Sequence, residues 1–309
     1  MIFSKSKFCV YYSIEYFLGL CEKGPRSSFD CNKYRKIRDA LLNEKILKHS
    51  QFIEPEPATW DDFLLVHDKN YIEKIKDPMV LAKILFLDYV NPFDTDIIDF
   101  FKYVTGGTIM AVDTAYRENG CCFNLGGGFH HAKRDKGEGF CPVNDIAVAI
   151  AKLFKNYGKK KVLIVDLDYH HGNGTAKIFE KEEDVFTFSV HRDNWDEINK
   201  KNNMDIHLPD GTTDKEYLLQ LKLYLPNVIE EFNPDMVVYV AGADIHEKDS
   251  FGTFNISTKG VLERDIFVYR QVRDRKLPLA VVAGGGYGKE SWKLYYNFIK
   301  WVAKGETDV

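Results

Sequence analysis

The chain is predicted to fold as α/β: a mostly parallel β-sheet with helices packed on both faces. Three observations carry this reading. Short apolar runs bounded by turn residues recur at Cys121–Leu125, Val162–Val165, Val185–His191, Asp235–Val240 and Pro278–Val282, and such runs read as strands buried on both faces. Segments with helical periodicity alternate with them, the order that gives parallel strands joined by helical crossovers. Four of the runs end in polar or glycine-rich residues: Gly126–His131, Asp166–Gly174, Ala241–Asp244 and Ala283–Tyr287. In open parallel sheets ligands bind outside the carboxyl ends of the strands, so these four ends are expected to deliver their groups to one rim.

The elements follow in order. Phe8–Tyr12 is a first strand, residues 21–28 with Gly24-Pro25 a loop, and Asp30 the cap of a helix with Ile37, Ala40, Leu41 and Leu42 on one stripe. A short helix follows Thr59, which is placed as its N-cap, with Asp61 and Asp62 in the first turn. Val66, His67, Tyr71 and Ile72 are read as packing residues, His67 included. An acidic loop spans Asp88–Asp96 with Asn91-Pro92 as its turn, and Ile97–Arg117 is a long helix whose Gly106-Gly107 pair permits close packing on the sheet. Gly137–Asn144 is a loop, Asp145–Tyr157 a helix, Thr175–Glu180 another, Arg192–Asn203 a polar loop and Thr213–Phe232 a helix.

At 309 residues the chain is long enough for one large domain or two small ones, and no stretch resembles a linker, so residues 1–309 are read as one domain. A net charge of -4 without a basic block leaves no nucleic-acid footprint. The six cysteines are scattered, without a CxxC, which argues against a disulfide framework and for reduced thiols in a cytoplasmic protein. Neither a signal peptide nor an apolar run of about 18 residues is visible, so no membrane partner is expected.

The chemistry concentrates at Asp166-Leu167-Asp168-Tyr169-His170-His171. On an extended backbone Asp168 and His170, two residues apart, point the same way as two ligands of one metal would, and Asp166 shares their phase one step deeper. A lone Asp or His there would be read as a helix cap or a solvated side chain. Three such groups on one side of a strand end instead require a cation or extensive hydrogen bonding. Asp244 ends another run, and Asp168, His170 and Asp244 make an oxygen and nitrogen set suited to catalytic zinc, with Fe(II) or Co(II) also compatible. His130 and His131 can supply acid and base, and Tyr287, on a glycine turn, an oxyanion donor. Together these describe amide hydrolysis.

These residues resemble the histone deacetylase family of arginase/deacetylase fold, including class II-like deacetylases of bacterial or archaeal type, acetylpolyamine amidohydrolases and acetoin-utilisation proteins. The resemblance runs through Pro57-Ala58-Thr59, Val66-His67, Tyr71, Gly126–His131, Gly139-Phe140-Cys141, Asp166–Thr175, Ser189-Val190-His191, Ala241–Asp244 and Gly284–Tyr287. It implies that Asp168, His170 and Asp244 bind zinc, that His130 and His131 are the catalytic pair, and that Tyr287 is the transition-state donor. It also implies that Asp166 backs His130, and that Asn173 faces His131 where class I members carry aspartate and class II-like members asparagine. Because an amide stabilises imidazolium less than a carboxylate does, His131 is expected to be the base and later the acid. A structural potassium ion is implied at main-chain oxygens of Asp166, Asp168, His170 and Val190 with side-chain oxygens of Asp166 and Ser189. Gly139 and Phe140 resemble one wall of the acyl channel.

The segment Arg192–Asn203 lacks the Pro-Gly-Thr-Gly run of class I members, so Trp195 is the candidate for the second wall, and Asp94 is the candidate rim aspartate. Phe251 stands seven positions after Asp244, where the polyamine-selective branch carries an acid, so the expected substrate is an acetylated lysine rather than a small acetylated amine. The chain reads as a catalytic core without a regulatory tail. An acetylpolyamine amidohydrolase, a binuclear manganese ureohydrolase and a non-catalytic acyl-lysine reader are the alternatives.

Overall fold

A computed structural model describes residues 7–18, 30, 32–87, 96–199 and 201–305. The loop expected over 21–28 lies outside these residues, as does the acidic loop over 88–96 except for the backbone of its last residue, so Asp94 has no described position. Among the described residues eight strands form one sheet: β1 (Phe8–Tyr11), β2 (Phe52–Ile53), β3 (Cys121–Asn124), β4 (Val162–Asp166), β5 (Val185–His191), β6 (Asn203–His207), β7 (Met236–Val240) and β8 (Leu279–Val282). Their order is β2-β1-β3-β8-β7-β4-β5-β6, and every pairing is parallel. The four strands whose ends carry chemistry, β3, β8, β7 and β4, are consecutive and central.

The helices are α1 (Glu15–Phe17), α2 (Asn32–Asn43), α3 (Trp60–Phe63), α4 (Lys69–Ile75), α5 (Pro78–Ile84), α6 (Asp96–Glu118), α7 (Asp145–Tyr157), α8 (Asn173–Phe179), α9 (Asp214–Phe232), α10 (Thr258–Arg273) and α11 (Ser291–Lys304). One layer is built on α6, packed on β1, β3 and β8 and against α7, which meets α8; α9, α10, α11 and α2 form the other, each touching the next. Strands β4, β7 and β8 are buried along their whole length, as their unbroken apolar sequences require. No described helix is long and apolar enough to cross a membrane. The described cysteines Cys9, Cys121, Cys122 and Cys141 are buried free thiols.

Several boundaries and elements differ from expectation. Helices α4 and α5 and the two-residue strand β2 were not legible, because each is brief and draws its stability from tertiary contacts, whereas β6 lies one residue from the segment Met204–Leu208 that the sequence sets off after the polar loop. Thr59 caps α3 as expected, its hydroxyl accepting from Asp62 N at 3.2 Å. Of the glycine pair in α6, only Gly107 serves the predicted approach to the sheet: a Cβ there would lie 2.6 Å from the Asn124 side chain on β3. At Gly106 it would instead strike the Glu56 carbonyl, which belongs to a loop.

His67 packs, as the sequence suggests, and also pins two loops. Its Nδ1 donates to Lys133 O at 2.8 Å and its Nε2 accepts Asn144 N–H at 3.0 Å, an arrangement that requires the neutral ring. Burial lowers its pKa from 6.5 to about 4 against the opposing pull of the Lys133 carbonyl. Between those values the unfolded chain binds a proton that the folded chain refuses, so this contribution is complete above pH 6.5 and is lost as the pH falls toward 4. Urea midpoints are therefore expected to decline from pH 7.5 to pH 5, with His67 responsible for about 2 kcal/mol of the decline. His67→Gln should be less stable at pH 7.5 and decline less steeply; equal slopes for the two chains would remove His67 from the effect.

Candidate active site

Strand β4 ends at Asp166, so the residues after it do not continue as extended backbone, and the strand-phase argument for Asp168 and His170 is corrected. They converge because the chain bends around their own side chains. Asp168 Oδ1 accepts His170 N at 3.0 Å and lies 3.2 Å from His170 Nδ1, while Asp244, beyond β7, brings Oδ2 to 2.9 Å from the same nitrogen. Asp244 Oδ1 accepts Tyr169 N at 2.9 Å, and Asp168 Oδ2 accepts Gly285 N at 2.7 Å, which ties three strand ends together.

Asp168, His170 and Asp244 offer one donor atom each, all within 4.8 Å of one another. Both carboxylates are buried. Burial and the neighbouring Asp168 push Asp244 up, while burial alone would lower His170, yet Asp168 and Asp244 raise it to about 10. The trio thus demands a compensating positive charge, which a divalent cation supplies. The oxygen and nitrogen donors fit zinc, and equally Fe(II) or Co(II).

The paired histidines leave β3 through a glycine turn that has no room for side chains. Gly128 has φ +81°, and a Cβ on it would lie 2.4 Å from the Gly284 Cα, because the turns after β3 and β8 cross at this point. Asp145, the first residue of α7, holds the turn by accepting Gly128 N at 3.1 Å and Phe129 N at 2.7 Å. His130 Nδ1 then meets Asp166 Oδ2 at 2.8 Å, and His131 Nδ1 meets Asn173 Oδ1 at 2.8 Å. The two Nε2 atoms face each other at 3.2 Å. Burial opposes charge on both rings, but Asp166 and Asp168 overcome it at His130 and hold it at about 9. Burial and the His130 charge keep His131 well below the ordinary 6.5. The asymmetry expected of the pair is present: a cationic His130 can donate to the free Nε2 lone pair of a neutral His131.

Tyr287 sits on the turn after β8. Its backbone N donates to Asp249 Oδ2 at 2.7 Å, and Gly288 N to the same oxygen at 3.1 Å. Burial and the nearby Asp168 and Asp244 raise its hydroxyl well above 10, so it remains a donor. His130, His131, Gly139, Phe140, Asp168 and Tyr287 line one narrow pocket.

The mouth of that pocket is aromatic. Glu138–Cys141 is a tight turn, Cys141 N donating to Glu138 O at 2.9 Å, with both central residues at positive φ (Gly139 +55°, Phe140 +64°). A non-glycine residue held there is strained, and the strain aims Phe140 at the mouth, its ring centroid 6.0 Å from Tyr287 and 6.4 Å from Phe251. Phe251 is exposed and meets Tyr287 edge-on at 4.7 Å. Phe86, also at positive φ, adds an exposed ring 5.1 Å from Phe140, a contribution that no sequence signal announced. Trp195 lies flat on His131, with centroids 4.1 Å apart and planes 1° apart. Its backbone N donates to His171 Nδ1 at 3.1 Å.

Ser189 is the register partner of Asp166 on β5, its hydroxyl paired with His191 Nδ1 at 2.7 Å. A second group with metal-ligand character, His171, His191 and Asp205, shares no residue with the first. Both ring nitrogens of His191 are engaged by Ser189 and Asn194, and His171 Nδ1 accepts Trp195 N–H, which leaves its Nε2 as the protonated atom facing Asp205 at 3.5 Å. His191 is thus fully engaged by hydrogen bonds, while His171 Nε2 and Asp205 Oδ1 face each other across 3.5 Å without forming one. Sequence reasoning missed Asp145, Asp249 and Arg264. The last is buried and donates to Leu167 O at 3.0 Å and Gly242 O at 2.6 Å, bracing the loops that carry Asp168 and Asp244.

Comparison with known proteins places this geometry in context. The family model described as "Histone deacetylase domain" matches residues 27–299. Histone deacetylase 2 of Arabidopsis thaliana is 31% identical over 307 residues, 96% of this chain and 78% of the relative. The acetoin utilization protein AcuC of Staphylococcus aureus (strain MRSA252) is 28% identical, covering 86% of this chain and 73% of the relative. Among solved structures, an HDAC homologue from Aquifex aeolicus superposes with TM-score 0.81 at 24% identity, over 98% of this chain and 85% of that one. An HDAC homologue complexed with SAHA gives TM-score 0.80, also at 24% identity, over 99% and 86%.

Proposed function

The chain belongs to the histone deacetylase family, and on that premise we propose that residues 1–309 form one catalytic domain that hydrolyses N-epsilon-acetyl-lysine to acetate and free lysine. The observation that carries this reading is the convergence, on one rim, of the Asp168, His170 and Asp244 donors, the unlike pair His130 and His131, and Tyr287. Zinc held by the three donors supplies a polarised acyl carbonyl and water of lowered pKa. His131 accepts the water proton at Nε2, the atom that its bond to Asn173 leaves free, and returns it to the departing amine. His130, held cationic by Asp166, donates from Nε2 to His131 Nε2 in the resting site, and that bond gives way to the water when His131 acts as base. Tyr287 donates its hydroxyl proton to the developing oxyanion. Gly139, Phe140 and Trp195 confine the aliphatic stem of the acyl-lysine. Main-chain oxygens of Asp166, Asp168, His170 and Val190, with the side chains of Asp166 and Ser189, would hold a structural potassium ion.

An aromatic mouth supports lysine over polyamine. A distal ammonium facing Phe251 gains a cation-π contact of about 0.5 to 2 kcal/mol, whereas a carboxylate in a channel of lowered dielectric offers more. Acetyl-lysine peptides are expected to show a higher kcat/KM than acetylspermidine or acetylputrescine, and Phe251→Glu to shift the ratio toward the polyamines. A tenfold or greater preference of the unmodified chain for an acetylpolyamine, about 1.4 kcal/mol in the opposite direction, would overturn the substrate assignment.

A further inference from the structure

We propose that Glu138 and Asp196 are positioning residues that act through Asn173 to fix which nitrogen of His131 carries its proton. The inference rests on the reading of His131 as the base and names two acids outside the catalytic set. The Asn173 amide is buried and spans three partners: its Oδ1 faces His131 Nδ1 at 2.8 Å, while its Nδ2 donates to Glu138 Oε1 at 2.8 Å and to Asp196 Oδ2 at 2.6 Å.

An isolated asparagine could present either end of its amide to an imidazole, accepting from Nδ1–H or donating to a bare Nδ1. Two ionised acids remove the choice. Lys133 Nζ lies 2.5 Å from Asp196 and 3.1 Å from Glu138, and Lys136 Nζ 2.7 Å from Glu138. With both Nδ2 hydrogens taken by carboxylates, Oδ1 must face His131, so Nδ1 carries the proton and Nε2 keeps its lone pair, the one that faces His130 Nε2 at 3.2 Å. Charge-assisted bonds at Nδ2 also polarise the amide and make Oδ1 a stronger acceptor. The expectation that a neutral amide gives His131 little support is thereby modified: the carboxylate is present, one amide removed.

The same two acids stand beside the channel walls. Glu138 opens the tight turn that bears Phe140, and Asp196 follows Trp195, the ring stacked on His131. One buried amide therefore joins the turn of Phe140 and the segment of the His131-stacked Trp195 to the base.

The test combines a tautomer measurement with kinetics on the zinc-loaded chain. In long-range proton–nitrogen spectra of histidine-labelled protein, His131 should appear as the Nδ1–H tautomer. Glu138→Ala with Asp196→Ala should give a mixture of tautomers and lower kcat by about 10- to 100-fold, the usual effect of removing an outer partner of a catalytic group, with KM unchanged. Adding Asn173→Asp to that double variant should restore both the tautomer and most of kcat, since a carboxylate accepts from Nδ1–H without being oriented. The same Asn173→Asp change in the otherwise unmodified chain should lower kcat, because three carboxylates then meet at one point. A merely structural role predicts no rescue and an unchanged tautomer, and either a retained Nδ1–H form or a failed rescue overturns the proposal. Should the double variant not fold, Glu138→Gln with Asp196→Asn, which keeps both side chains' volume while removing both carboxylates from Asn173 Nδ2, gives the same tautomer test. Absence of turnover on every acylated amine would reject the proposed function while leaving the tautomer result to decide this inference.

Discussion

Asp168→Ala is expected to bind no zinc at the candidate centre and to release no acetate above background. The side chain serves three partners at once, with Oδ1 on His170 and Oδ2 on the backbone N of Gly285, in the turn that carries Tyr287. Its removal takes away a ligand, frees the His170 ring and leaves a buried Gly285 N–H without an acceptor. That last loss costs about 1 to 3 kcal/mol, partly offset by relief of the repulsion that raises Asp244. His170→Ala separates the effects in part, because it spares the Gly285 bond while removing a ligand and the ring that pairs with Asp168 and Asp244. Metal content by mass spectrometry, with activity before and after chelation, checks both variants; a chain lacking either residue that still held its zinc and its turnover would not fit the ligand assignment.

Tyr287→Phe is expected to lower kcat by about 10² to 10³, the effect of losing one oxyanion donor, without changing metal content. Asp249 holds the backbone N–H groups of Tyr287 and Gly288, bonds that the change to Phe spares, so the turn should survive it. The ring contacts with Phe251 and Phe140 also remain. A decrease of less than about threefold would assign the donor role to another group.

The sheet and its rim were legible because parallel strands buried on both faces write themselves as continuous apolar runs, and because Asp168, Asp244 and Tyr287 follow such runs directly. Short elements were not legible. Phe52–Ile53 and Lys69–Ile75 carry too few residues for a period to show. The ligands were identified for a partly mistaken geometric reason: Asp168 and His170 meet through a bend stabilised by their own hydrogen bonds, not through strand phase. Trp195 was placed by elimination near the channel, and its flat contact with His131 depends on a loop anchored by His171, which sequence spacing does not reveal. Glu138 and Asp196 lie far from Asn173 in sequence or in an unpatterned loop, so their shared amide is visible only in three dimensions.

Titration of metal-depleted chain with zinc, with bound metal and released acetate measured in the same samples of an acetyl-lysine peptide assay, tests the central claim most directly. The expected result is turnover that rises in proportion to bound zinc and saturates at about one ion per chain, as one set of three protein ligands requires. Full activity of the depleted chain, or activity that needs two manganese ions per chain, would contradict it.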